Sequence, residues 1–228
     1  MPIPLRSKSD YLAKFVPEAH YHVYNRTNNR EPLFQDDADR RFFLELYKRF
    51  VADYVETYAY CLLPNHFHLA IRIKSAAALM ILAEQTPEPQ RTVPQQLLLS
   101  QTGEDRNFHT VVERQFTRMF TAYAIYFNRR YQRSGNLFYR PFKRIAVDDE
   151  YHLNWLVYYV HHNPRKHGVM DDFVQYHWSS YQALILQSPT GLHREAVWEL
   201  FGGKANFIAL HEGVEPPKPE SWDLEMED

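Results

Sequence analysis

The clearest pattern in the chain is the alternation from His66 to Lys74. His66, His68, Ala70 and Arg72 fall on one side, and Phe67, Leu69, Ile71 and Ile73 on the other. A period of two marks a half-buried strand. The aromatic and β-favouring run His20–Arg26 and the run Glu56–Leu63 read as two further strands, and Pro64-Asn65 as the turn between two of them. Lys143–Val147 is a short last strand.

Between these lie helical periods. Asp36 reads as an N-cap, with Asp37 and Asp39 in the first turn and Phe43, Leu46, Phe50 and Tyr54 at spacings of three and four. Val112, Phe116, Met119, Phe120, Tyr123 and Phe127 mark a long helix. Asp148 or Asp149 caps another, expected to run to Asn163, where Pro164 stops it. The order strand–helix–strand–strand–helix–strand–helix predicts the α+β class: a ferredoxin-like antiparallel sheet covered by helices, with a C-terminal helical extension.

The expected organisation is a loose lead-in (1–18), a catalytic unit (19–170), a helical extension (171–211) and an acidic, proline-bearing disordered tail (212–228). Within the catalytic unit, residues 75–106 read as an insertion or loop. Ala76–Glu84 suits a short helix, but Thr86–Gln101 carries three prolines.

Composition changes this picture little. The hydrophobic content of 45% is enough for a core. One cysteine, Cys61, excludes an internal disulfide and fits a cytoplasmic setting. No apolar run is long enough to span a membrane. Charge changes it more. The net charge is −2, yet Arg106, Arg114, Arg118, Arg129, Arg130, Arg133, Arg140, Lys143 and Arg144 share their stretch with only one acid, Glu113. A segregated basic stretch points towards a polyanion, although most such runs are simply solvated faces.

Candidate chemistry begins with His66 and His68, which a strand presents side by side. Such a pair is more often accidental than metal-binding. His20 and His22 have the same spacing on another strand, and spacing alone does not choose between the pairs. If the two strands are neighbours, His22 lines the same pocket. On the last helix Tyr159 and Asn163, four residues apart, share one edge. Laid over the sheet, that edge would join a phenol and an amide oxygen to two imidazoles.

Several segments, in order, carry a resemblance. They are His22–Arg26, Leu63–Leu69, Ser134–Phe138 continuing to Phe142-Lys143, Tyr159–Pro164 followed by His167-Gly168, and Trp178–Tyr181. Together they resemble the REP-associated tyrosine transposases, a branch of the single-tyrosine HUH transposase superfamily, over roughly residues 20–185. The long 75–106 segment and the acidic tail depart from that pattern.

The resemblance implies His66 and His68 as metal ligands rather than His20, with Asn163 as the third and Tyr159 as nucleophile. It implies Mg²⁺ or Mn²⁺ and single-stranded DNA with hairpin-forming repeats, cut and rejoined through a 5′-phosphotyrosine by a monomer or homodimer. Ligand chemistry alone would favour a softer ion for imidazoles. Arg129, Arg130, Arg133, Arg140, Lys143 and Arg144 would then grip DNA phosphates. Tyr131 and Tyr139 would stack bases, while Phe138 is expected in the core. The alternative is a domesticated protein that binds nucleic acid without cutting it.

Overall fold

The computed structural model describes residues 11–28, 31–213 and 215–219. Strands β1 (His20–Arg26), β2 (Val55–Leu62), β3 (His66–Ile73) and β4 (Lys143–Val147) form one antiparallel sheet in the order β2-β3-β1-β4. The expected ferredoxin-like arrangement is therefore present. Helices α1 (Asp37–Phe50) and α4 (Phe108–Arg130) cover one face, and α5 (Glu150–Lys166) packs on β2 and β3.

The alternation of β3 divides the protein into two cores. Phe67, Leu69, Ile71 and Ile73 join the side chains of α1 and α4. The Phe67 ring lies 5.0 Å from Phe43 of α1 and 5.6 Å from Phe120 of α4. Ala70, on the opposite face, joins Cys61, Leu156, Val157 and Val160. A bulge in β2 between Thr57 and Ala59 shifts the register, so Tyr58 and Ala59 both join the second core. An extra residue in one strand does this by restarting the pleat.

Asp36 caps α1 as expected, its carboxylate accepting from the Asp39 N–H. Two helices occupy the long insertion: α2 (Ala76–Gln85) and α3 (Val93–Ser100). The second replaces the expected loop. Pro94 sits in its first turn, where a missing N–H costs nothing, and the Gln95 side chain accepts from the Thr92 N–H at 2.9 Å.

Both sheet edges are covered, which suppresses edge-to-edge pairing. The described part of the lead-in is packed rather than loose. Tyr11 and Phe15 are buried, and backbone bonds join Ala13 and Tyr11 to Arg144 beside β4. At the β2 edge, Leu62 and Tyr60 exchange backbone bonds with Trp178 and Ser180. Helices α6 (Tyr181–Ile185), α7 (Arg194–Leu200) and α8 (Lys204–Glu212) then complete the second core as the expected extension. Of the acidic tail, Glu212 ends α8, and residues 215–219 run past α5 with the Pro217 carbonyl accepting from Tyr151 Oη at 2.6 Å. Residues 220–228 lie outside the described part. Among the described residues, no helix is long and apolar enough to cross a membrane.

Candidate active site

The face of β3 opposite the aromatic core carries His66 and His68, and α5 lies over it. The turn into β3 is tight, with the Leu63 N–H bonded to the His66 carbonyl at 2.9 Å. Asn65 in that turn places Oδ1 2.6 Å from His66 Nδ1. An amide oxygen only accepts, so His66 Nδ1 carries the proton and its Nε2 keeps a lone pair. That Nε2 is buried and has no hydrogen-bond partner.

His68 is fully buried, and its Nδ1 lies 2.9 Å from Nε2 of the equally buried His22. Strand β1 pairs with β3, so the rival His20/His22 pair neighbours His66/His68. His22 stacks at 5.2 Å behind His68, and His20 packs edge-on to Tyr58. Burial holds His68 well below the ordinary imidazole range, with His66, His22, His167 and Lys166 adding repulsion. Burial, then the charges of His167, Arg26 and Lys166, push His66 down to about 3. Both rings are neutral at pH 7, the form that binds a metal.

A third imidazole joins them. Ligand atoms of His66, His68 and His167 all lie within 4.8 Å of one another, and the His66 and His167 ring centroids are 4.7 Å apart. The sequence reading did not place His167 here because it ended the helix at Pro164. Helix α5 instead runs to Lys166, with Pro164 inside its last turn and His167 as C-cap. The end is a Schellman closure: Val169 N–H bonds the Pro164 carbonyl at 2.8 Å, Gly168 N–H bonds the Arg165 carbonyl at 3.1 Å, and Gly168 has φ +63°. Tyr159, Asn163 and His167 therefore follow one another at intervals of four along one helix edge. That spacing was the available signal.

Tyr159 is buried, with its ring edge-on to His68 at 5.6 Å and stacked on Trp155 at 5.1 Å. Lys166 Nζ lies 3.5 Å from its hydroxyl. Asn163 Nδ2 donates to the Tyr159 carbonyl at 2.8 Å. Its Oδ1 is buried without a hydrogen-bond partner, which is unfavourable unless another group meets it.

The basic stretch divides by environment. Arg130 bonds Asp36 at 2.6 Å and the fully buried Asp39 at 2.7 Å, so it neutralises an interior carboxylate. Arg133 pairs with Glu31 at 2.6 Å. Arg144 is buried and pairs with Glu113 at 2.9 Å. These three guanidiniums serve internal pairs. Arg129 and Arg140 are exposed, and Lys143 Nζ lies 5.5 Å from the Tyr11 ring centroid. Phe138 is in the core and Tyr139 is exposed. Arg26, opposite His66 in the β1–β3 register and 5.8 Å from the Tyr139 ring, is a cation that the sequence reading did not single out.

Neither protein-family models nor curated proteins give a match to the sequence. Among solved structures, a REP-associated tyrosine transposase bound to a REP hairpin is similar at a TM-score of 0.50 and 14% identity, over 78% of this chain and 86% of that one. At that identity the likeness is one of fold: this chain shares an α+β architecture with that protein.

Proposed function

We propose that this protein is a metal-dependent transposase-type enzyme that cuts and rejoins single-stranded DNA, with Tyr159 as nucleophile. The observation that carries this reading is the convergence of Tyr159 with His66, His68 and His167 across the sheet–helix interface. The donor set suits a divalent ion. It offers three imidazoles within 4.8 Å, those of His66 and His68 neutral at pH 7, and a buried amide oxygen, Asn163 Oδ1, that lacks a hydrogen bond. His66, His68 and His167 would hold the ion, with Asn163 as oxygen donor. When bound, the metal supplies Lewis-acid polarisation of a phosphoryl oxygen. Mg²⁺ and Mn²⁺ remain the proposed ions, and nitrogen donors rank Mn²⁺ above Mg²⁺.

The side chains around these ligands have distinct tasks. Asn65 would orient His66 and hold the proton on its Nδ1, and His22 would orient His68, as outer partners of ligating imidazoles do. Tyr159 Oη gives up its proton to solvent and attacks phosphorus, forming the Tyr–O–P bond to the 5′ side and breaking the bond to the 3′ oxygen, which takes a proton back from solvent and leaves as a free 3′-OH. Lys166 places its ammonium beside the reacting oxygen. The phosphotyrosine conserves the bond for rejoining. Arg129, Arg140 and Lys143, with Arg26 beside the histidines, would meet DNA phosphates, while Arg130, Arg133 and Arg144 would first have to leave their carboxylates.

The test is incubation with hairpin-bearing single-stranded DNA and Mn²⁺. A covalent protein–DNA adduct is expected in the wild type and lost in Tyr159→Phe. Binding without an adduct, unaffected by His66→Ala, would instead mark a non-cleaving nucleic-acid-binding protein.

A further inference from the structure

A cleft of about 530 Å³ opens on the flank of α5, and Tyr159 forms part of its wall. The size falls within the usual range for small-molecule sites, roughly 300–1,000 Å³. Trp155 and Tyr158 are largely buried in its wall, stacked on Tyr159 and His162, and show it only their margins, while the exposed Arg165 and Lys166 line it with positive charge. Glu215 lines it as well, on the segment that the Tyr151–Pro217 hydrogen bond holds beside the helix. The proposed metal ligands do not line this cleft. Tyr159 is thus a shared partition, with His68 at one ring edge and the cleft beside it.

We infer that this cleft holds one unpaired nucleotide, the neighbour of the phosphate that Tyr159 attacks. The inference rests on the proposed function for its register, but the cleft's chemistry makes its own case. Two cations would take a phosphate, and a base would rest against the exposed margins of the wall rings. Glu215 repels phosphate from its own part of the cleft, so the nucleotide enters with its phosphate towards Arg165 and Lys166. A base held in a duplex does not enter a recess of this size unless it is flipped out of the stack. The cleft therefore selects single strands or extruded bases, independently of the histidines.

The test uses the full chain and two probes, a fluorescent 12-nucleotide oligothymidylate and the same strand annealed to its complement. Arg165 is exposed, so its replacement should leave the fold intact. Arg165→Ala is expected to weaken single-strand binding about five-fold and Arg165→Glu by more than ten-fold, with the duplex affected less than two-fold. In parallel, oligonucleotides carrying 5-bromodeoxyuridine are irradiated with the wild type, and the crosslinked peptides are identified by mass spectrometry. Crosslinks to Trp155 or Tyr158 are expected. Unchanged single-strand affinity in Arg165→Glu, or crosslinks confined to other elements, would overturn the inference. The two readings fail separately. An adduct at Tyr159 with wild-type binding in Arg165→Glu removes the cleft and keeps the enzyme. Weakened binding and crosslinks in the cleft without any adduct do the reverse.

Discussion

The two faces of β3 differ in what they ask of neighbouring residues. Phe67, Leu69, Ile71 and Ile73 look into an aromatic core, while His66 and His68, one residue out of step, look towards α5. The first face is stabilised by burial, at roughly 25 cal/mol per Å² of apolar surface. The second buries neutral imidazoles that burial and like charges hold far from protonation. A single strand thus separates stability from chemistry by its pleat, and substitutions one position apart should fail in different ways.

The largest separation is expected at Tyr159. Tyr159→Phe removes only a hydroxyl, so the covalent DNA adduct should vanish while the urea midpoint stays close to that of wild type. An adduct persisting at another tyrosine would show that the nucleophile lies elsewhere. On the opposite face Phe67→Ala should cost about 3–5 kcal/mol of unfolding free energy, the usual range for a large buried ring. It should leave metal affinity in the surviving folded fraction intact, as measured by urea titration beside calorimetry.

Metal binding sharpens the histidine face further. His167→Ala should weaken Mn²⁺ binding by at least the roughly 10–100-fold typical of lost outer-shell partners. Titration followed by electron paramagnetic resonance would measure it. If Asn163→Ala weakens binding and His167→Ala does not, the third ligand is the amide. His22→Phe keeps a ring but removes the bond to His68 Nδ1, and should weaken Mn²⁺ about ten-fold, at the lower end of that range. An affinity equal to wild type would reduce His22 to packing.

These contrasts also explain what was legible beforehand. The β3 alternation identified both faces, because a pleat enforces a two-residue period whatever lies above it. The cap at Asp36, and the next one narrowed to Asp148 or Asp149, were legible because a side-chain carboxylate meets the helix N–H groups locally; the structure places the second at Asp149. The place of His167 beside His66 and His68 was not legible, because Pro164 signalled an end that the helix passed through. A proline near a helix terminus removes little hydrogen bonding, and Gly168 supplied the actual stop. The 93–100 helix was hidden for a similar reason, with Pro94 in its first turn. The basic stretch could not be divided from sequence. Whether an arginine meets Asp39, Glu31 or Glu113 depends on residues brought together from 31 to 102 positions away. Tyr159 and Asn163 were placed on one helix edge by period, but the meeting of Tyr159 with His68 required the sheet order.

A further effect, on stability rather than on binding, lies away from the proposed metal site, in His161 and His211. Burial holds both below the ordinary range, His211 at about 3. The unfolded chain takes up a proton near pH 6.5 that the folded His211 refuses, so stability should decline as pH falls from about 6.5 towards 3. The slope is at most ~1.4 kcal/mol per pH unit for each such proton. Chemical denaturation at pH 7 and pH 4.5 measures it, and His211→Gln should flatten the decline. An identical slope would assign the acid sensitivity to other groups.

The same histidines form a directed chain. His211 Nδ1 meets the Phe207 carbonyl at 2.8 Å and must donate, so its Nε2 accepts from His161 Nδ1 at 2.9 Å. His161 Nε2 then accepts from Ser180 Oγ at 2.8 Å, and that oxygen accepts from the Tyr60 N–H at 2.8 Å. Every proton is assigned from one end, and the chain ties β2, α5 and α8 together two residues along from Tyr159. The C-terminal helices are therefore a splint on the helix that carries the proposed nucleophile. A tag, cleavage or fusion that disturbs α8 would be felt at Tyr159, even though α8 itself supplies no group to the proposed site.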